Sequence, residues 1–169
     1  MLCLPTNPEY IPGEYSAENT GGASVSRSEY STANGGVDSF KSLDGMEIPC
    51  SVCLRTQTQA TVMIPGQNTC PQSFSIDYQG YLFASSPSSS GRTEYICVDA
   101  NAEGIGSSSA DGGVLLSPVE AGSGLAGLLL YAQGYELTCA VCGSATSSTG
   151  SVYTRLVKFI FIYNAIPKE

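Results

Sequence analysis

Apolar residues along this chain come in short bursts between Gly, Ser and Pro, and most of the bursts read as β-strands. The clearest alternation lies at 74–79. Phe74, Ile76 and Tyr78 share one face there and Ser75, Asp77 and Gln79 the other, predicting a half-buried strand that Gly80 punctuates before Tyr81-Leu82-Phe83-Ala84. Upstream, residues 58–64 are β-branched and closed by Pro65-Gly66, which predicts a strand and a turn. Further strands are expected at Thr93–Val98, at Val114–Val119 and at Tyr135–Val141, the last ending in a Cys-x-x-Cys. Pro118 suits an edge strand. Residues 1–49, with Pro5, Pro8, Pro12 and a Ser/Gly/Glu-rich run, read as loop. Leu125–Tyr131 is apolar enough for a short helix, although Gly122, Gly124, Gly127 and Gly134 oppose a long one. The apolar middle of Ser151–Ile166 falls short of the ~20 residues a membrane helix needs, and reads as a buried strand that packs against the domain or a neighbour.

Cysteine spacing adds a second pattern. Cys3, Cys50 and Cys53 recur as Cys97, Cys139 and Cys142, displaced by 94, 89 and 89 positions. Gly21-Gly22 answers to Gly112-Gly113, and Pro-Cys-Ser-Val-Cys at 49–53 to Thr-Cys-Ala-Val-Cys at 138–142. A period this long suggests a duplicated subdomain rather than a solenoid unit. The expected fold is therefore mainly β: two pseudo-repeated, disulfide-stabilised halves of short strands and long loops, packed as one compact unit. Residues 1–68 form the first pseudo-repeat, 69–142 the second, and 143–169 a Ser/Gly linker with an apolar strand. Thr69-Cys70-Pro71 has no counterpart in the first half, whose front edge reads as missing; this also accounts for the odd total of seven cysteines.

Two Cys-x-x-Cys pairs have the spacing of a four-thiolate zinc site, but structural zinc pairs usually stand ~15–20 residues apart. A redox reading lacks the helix or cation that lowers a thiol pKa. Disulfides are the expectation for Cys3, Cys50, Cys53, Cys70, Cys97, Cys139 and Cys142. The duplication pairs Cys97 with Cys139 or Cys142 and Cys3 with Cys50 or Cys53; Cys70 takes a leftover partner, and a lone thiol or an intermolecular bridge remains.

Composition narrows the chemistry. Seven Lys+Arg against fifteen Asp+Glu leave a net charge of −8, which disfavours nucleic acid and anionic membrane. Histidine is absent, which removes Ser-His and Cys-His pairs and His-ligated metals. Carboxylates at Glu9, Glu14, Glu29, Asp99, Glu103 and Glu120 are scattered and read as solvated, and Asp38, Asp44, Asp99 and Asp111 lack calcium-loop spacing. No enzyme, metal or cofactor is expected. Met-Leu-Cys-Leu-Pro has neither the basic nor the apolar region of a signal peptide, so the expectation is a secreted chain met without its leader.

The stretches Leu2–Tyr10, Ile48–Cys53, Met63–Pro65, Thr69–Pro71, Tyr78–Leu82, Glu94–Asp99, Val119–Ala121 and Glu136–Cys142 together resemble a secreted invertebrate extracellular family often labelled short-chain collagen-like, in its cysteine-rich non-collagenous region. Members begin with a strand similar to Gly-x-Val-Tyr-x-Arg and a Thr-Cys-Pro, which are missing at the front here; Gly150–Arg155 resembles that strand at the other end. Two family cysteines near 122–127 are also replaced, and residues 143–169 depart from the pattern. The resemblance implies secretion and a matrix role, with no reaction to carry over.

The resulting expectation is a non-enzymatic structural or interaction protein of the extracellular matrix. Its partners would be itself or another matrix protein, such as a silica-forming matrix enzyme, with glycan or mineral surfaces as further ligands. The alternative is a lectin-like module, in which exposed Tyr10, Tyr15, Tyr30, Tyr81 and Tyr131 stack on sugar rings. Ser88, Ser89 and Ser90 offer hydroxyls to either kind of surface.

Overall fold

The computed structural model describes residues 3–4, 7–11, 26–34, 36–53, 58–86, 94–106, 113–125 and 131–145. The fold is mainly β, and the described residues form one six-stranded sheet: β1 Ser28–Tyr30, β2 Thr58–Pro65, β3 Phe74–Ser85, β4 Ile96–Asp99, β5 Val114–Pro118 and β6 Thr138–Ala145. The strand order is β1-β5-β3-β6-β2, and β4 lies on the other edge of β3. All ladders are antiparallel except β1 with β5. Strands from before and after residue 68 interleave, because β1 and β2 flank partners from the second stretch.

Gly80 does not end a strand; it lies inside β3, the longest element. Its neighbours are Cys139 of β6 on one edge and Asp99 of β4 on the other. In a flat sheet, strands two places apart stand about 9.5 Å from each other. Here Cys97 of β4 and Cys139 of β6 are 5.7 Å apart at Cα. The sheet therefore folds over at Gly80, where a Cβ would fall 1.9 Å from the Val98 carbonyl oxygen. Glycine is required because backbone occupies the place of its side chain.

Just past that fold, β3 passes from one neighbour to the next. Tyr81 faces Thr138 of β6, and Phe83 faces Pro118 of β5. Between them, Leu82 donates its N–H to Leu137 (2.8 Å), Val119 donates to Leu82 (2.8 Å) and Leu137 donates to Val119 (2.8 Å). Pro118 thus sits at the last position of a strand flanked on both sides, not on an edge strand. Its missing donor costs no ladder bond, since the next bond comes from Val119.

The expected alternation at 74–79 is broken by a register shift between Ile76 and Tyr78. Ile76 is consequently 47% exposed, while Tyr78 is half-buried. The second Cys-x-x-Cys lies within β6 rather than at a strand end, so both of its cysteines are bracketed by neighbouring strands.

Residues 26–48 correct the reading of 1–49 as loop. β1 is followed by a 3-10 helix at Asp38–Leu43, and the chain returns alongside itself: Tyr30 donates to Met46 (2.9 Å), Gly45 to Tyr30 (2.8 Å) and Ile48 to Ser28 (2.9 Å). Asp44 Oδ1 accepts from Thr32 N (2.6 Å) and Ala33 N (2.8 Å), and the Thr32 hydroxyl donates to the Phe40 carbonyl (2.8 Å). These bonds satisfy polar groups that the turn would otherwise bury. They also set Tyr30 and Phe40 into the main core with Val37, Phe83, Val98 and Leu116. Phe40 packs edge-on against Tyr81 at 5.7 Å and tilted against Phe83 at 5.4 Å. A smaller cluster of Ile64, Ala140 and Cys142 lies toward the other end, capped by Val62, Cys70 and Phe74.

Candidate functional site

The sulfur framework is the most informative grouping of side chains. Cys97–Cys139 joins β4 to β6 across the fold at Gly80. Cys70–Cys142 ties the β2–β3 connection to β6. Cys3–Cys50 ties Cys3 to the stretch after the 3-10 helix. Cys53 is the remaining thiol, and it is exposed. Three of the four Cys-x-x-Cys sulfurs are thus covalently engaged, which removes the zinc reading. Three disulfides fit an oxidising compartment. Among the described residues, no helix is long and apolar enough to cross a membrane.

The bridges differ in setting. Cys139 and Cys142 are fully buried, with Cys139 opposite Pro65 and Gly80, and Cys142 opposite Val62 and Ile76. Cys50 is exposed. Beside it Val52 stands 88% exposed, and the Ser51 hydroxyl lies 3.6 Å from Cys53 Sγ.

The five tyrosines proposed for sugar stacking divide sharply. Tyr30 is 2% exposed and donates its hydroxyl to the Glu103 carbonyl (3.0 Å), so it is a core residue and not a ligand platform. Burial raises its pKa above the ordinary tyrosine value. Tyr81 is half-buried against Phe40, with its ring committed to the core. Tyr131 is half-buried over the turn after β2, and a Cβ on Gly66 would come within 2.5 Å of its hydroxyl. Tyr10 is 73% exposed. Tyr15, Ser88, Ser89 and Ser90 lie outside the described residues, as does the apolar stretch at 151–166.

Several exposed apolar side chains were not singled out by sequence: Val52, Tyr95, Ile105 and Tyr135. No local pattern marks them: Val52 lies between two cysteines just as half-buried Val141 does. Charged pairs are peripheral. Arg27 bonds Glu47, and Lys41 lies 2.6 Å from Asp38, whose carboxyl is held below the usual range first by that hydrogen bond and then by the Lys41 charge. Tyr78 donates to the Cys97 carbonyl (3.1 Å), and its pKa is raised by burial and then by Asp99 and Asp77. No family profile, curated protein sequence or solved structure matches this chain.

Proposed function

We propose that this protein is a non-enzymatic structural component of the extracellular matrix. It presents a cross-linked β-scaffold to other matrix proteins or to further copies of itself. One observation carries the reading. Within a few residues of Cys3 and Cys50 along the chain, Leu4, Tyr10, Ile11 and Val52 each stand exposed, apolar side chains that a free-standing scaffold gains nothing by leaving in water. The fold itself is locked by two further bridges and needs no ligand for its core. A net charge of −8 limits non-specific self-association away from these side chains and favours partners carrying cationic or hydroxyl-rich faces. A silica-forming matrix enzyme is one such partner, and the hydrated mineral it lays down is a second surface.

The test is association of the secreted, oxidised protein with itself and with solubilised extracellular matrix, followed by light scattering and co-sedimentation. The wild type is expected to associate, and Leu4→Ser/Tyr10→Ser/Ile11→Ser to remain monomeric with an unchanged far-UV spectrum. A wild type that stays monomeric and unbound in both assays overturns the proposal. So does a triple variant that associates equally well.

A further inference from the structure

We propose that Glu29 and Glu47 hold a calcium ion over Gly113, where β1 meets the start of β5. The inference goes beyond the matrix reading and does not depend on it. By sequence Glu29 reads as a solvated carboxylate, whereas in the structure it is only 6% exposed.

Glu29 stands directly opposite Glu47 in an antiparallel bridge. Tyr30 N donates to the Met46 carbonyl (2.9 Å) and Ile48 N to the Ser28 carbonyl (2.9 Å). That pattern makes 29 and 47 the narrow, non-hydrogen-bonded kind of pair, with Cα atoms about 4.5 Å apart and both side chains on one face. Two carboxylates so placed repel each other. Arg27 relieves one of them: its guanidinium bonds Glu47, and its side chain is 62% exposed. Among the described residues the Glu29 carboxylate has no hydrogen bond and no ion pair. A carboxylate enclosed beside a like charge, with no cation of its own, is costly to keep ionised.

The space in front of that carboxylate is shaped for an ion. A Cβ on Gly113 would lie 2.9 Å from the Arg27 carbonyl oxygen and 3.1 Å from Glu29 Oε1. Two oxygens therefore face one point, and only glycine leaves that point open. The Arg27 carbonyl accepts from Val114 N (2.8 Å) and keeps a second lone pair. Calcium binds oxygens at about 2.3–2.6 Å in irregular arrangements and accepts waters in the remaining positions, whereas magnesium demands a near-ideal octahedron. Glu29, Glu47 and the Arg27 carbonyl supply such a set. The opening at Glu29 is too small for a partner's Lys or Arg side chain. Among the described residues no third carboxylate, histidine or cysteine joins the pair, which places the affinity in the weak extracellular range of about 10⁻⁴–10⁻³ M.

A second pair shows that burial, not acidity, singles out Glu29. Glu120 and Glu136 oppose each other in the same narrow way, with Ala121 N on the Tyr135 carbonyl (2.8 Å) and Leu137 N on the Val119 carbonyl (2.8 Å). Glu120 is exposed, so water screens that pair and no ion is called for.

The probe is calcium chloride, added to the whole oxidised protein after dialysis against a chelator. Equilibrium dialysis with radioactive calcium is expected to count one ion per chain more for the wild type than for Glu29→Gln. Calcium at about 10 mM should raise the Tm of the wild type by about 4 °C beyond the effect of sodium chloride at equal ionic strength. Glu29→Gln should lose that shift, and Glu120→Gln should keep it. Without calcium, Glu29→Gln should melt no lower than the wild type, because the repulsion with Glu47 is gone. Equal calcium uptake by wild type and Glu29→Gln overturns the inference, as does a wild type whose Tm calcium leaves unmoved. So does a calcium-free Glu29→Gln that melts well below the wild type, since the carboxylate would then serve the fold without an ion.

Discussion

A tyrosine that leaves water on folding resists losing its proton, and two residues here are placed to show it. Burial raises the pKa of Tyr30, and burial with the charges of Asp99 and Asp77 raises that of Tyr78. Unfolded tyrosine titrates near pH 10. Their contribution to stability is thus complete below about pH 10 and is lost as the pH climbs from there through the folded values, because the unfolded chain sheds these protons first. Absorbance of tyrosinate should show Tyr30 and Tyr78 titrating late in the native protein, and urea midpoints should fall between pH 9 and 11, windows set by that unfolded value of about 10. Tyr30→Phe should remove one late-titrating group. It should also cost about 1 kcal/mol at neutral pH, since the Glu103 carbonyl loses its donor. A late-titrating signal undiminished in Tyr30→Phe would contradict this assignment.

Within elements, single positions decide whether the sheet closes. Gly80→Ala places a methyl 1.9 Å from the Val98 carbonyl oxygen and 2.6 Å from the Ala100 nitrogen, both backbone atoms of the β4 region that cannot swing aside. The expected loss is about 3 kcal/mol by urea unfolding. Gly122→Ala, with open space around it, should stay within about 0.5 kcal/mol. At the turn after β1, Asp44→Ala removes the acceptor of the part-buried Thr32 N–H and should cost about 1 kcal/mol, the exposed Ala33 N–H turning to water; Asp44→Asn keeps an acceptor and should cost less than half of that.

The same positions show what was legible in advance. The strands around 58–65, 74–85, 114–118 and 138–145 were readable because β-branched and alternating residues act locally. Gly80 was misread as a strand end because its requirement comes from β4, sixteen or more residues away, and not from its neighbours. Tyr30 and Phe40 were hidden for a related reason. Each is an isolated aromatic in a Ser/Gly-rich stretch, which the Asp44 and Thr32 bonds fold inward together with the backbone bonds between 28–30 and 45–48. Of the candidate site, the cysteines were legible through their spacing. The tyrosines were not, since exposure depends on which face each strand turns to the core.

At the scale of the molecule, three bridges close loops of similar length but not of similar consequence. Sequence separations of 42, 47 and 72 residues each predict about 4 kcal/mol from restricting the unfolded chain, with about 0.5 kcal/mol between the extremes. Loop length therefore does not rank them, and the native side of the equilibrium does. Cys97–Cys139 spans the fold at Gly80 between strands that must stay apposed for β3 to keep both neighbours, and Cys70–Cys142 anchors the smaller core cluster. Removing either constraint leaves buried Cys139 or Cys142 sites that must still be ordered for the sheet to exist. Cys3–Cys50 differs, because described residues 4 and 7–11 are exposed. When that bridge is absent, they can detach while the sheet persists, and their chain entropy is regained in the native state as well as in the unfolded one. Cys97→Ala/Cys139→Ala and Cys70→Ala/Cys142→Ala should each lose about 4 kcal/mol, a large part of the roughly 5–15 kcal/mol a domain possesses. Cys3→Ala/Cys50→Ala should lose about 1 kcal/mol or less in global unfolding, with new protease cleavage confined to the segment before Ser26. Urea unfolding of the three double variants by far-UV circular dichroism orders them. Equal losses in all three would mean that residues 3–11 are as integral to the cooperative unit as the fold at Gly80, and Leu4 and Val52 would then serve the core's own stability rather than a partner.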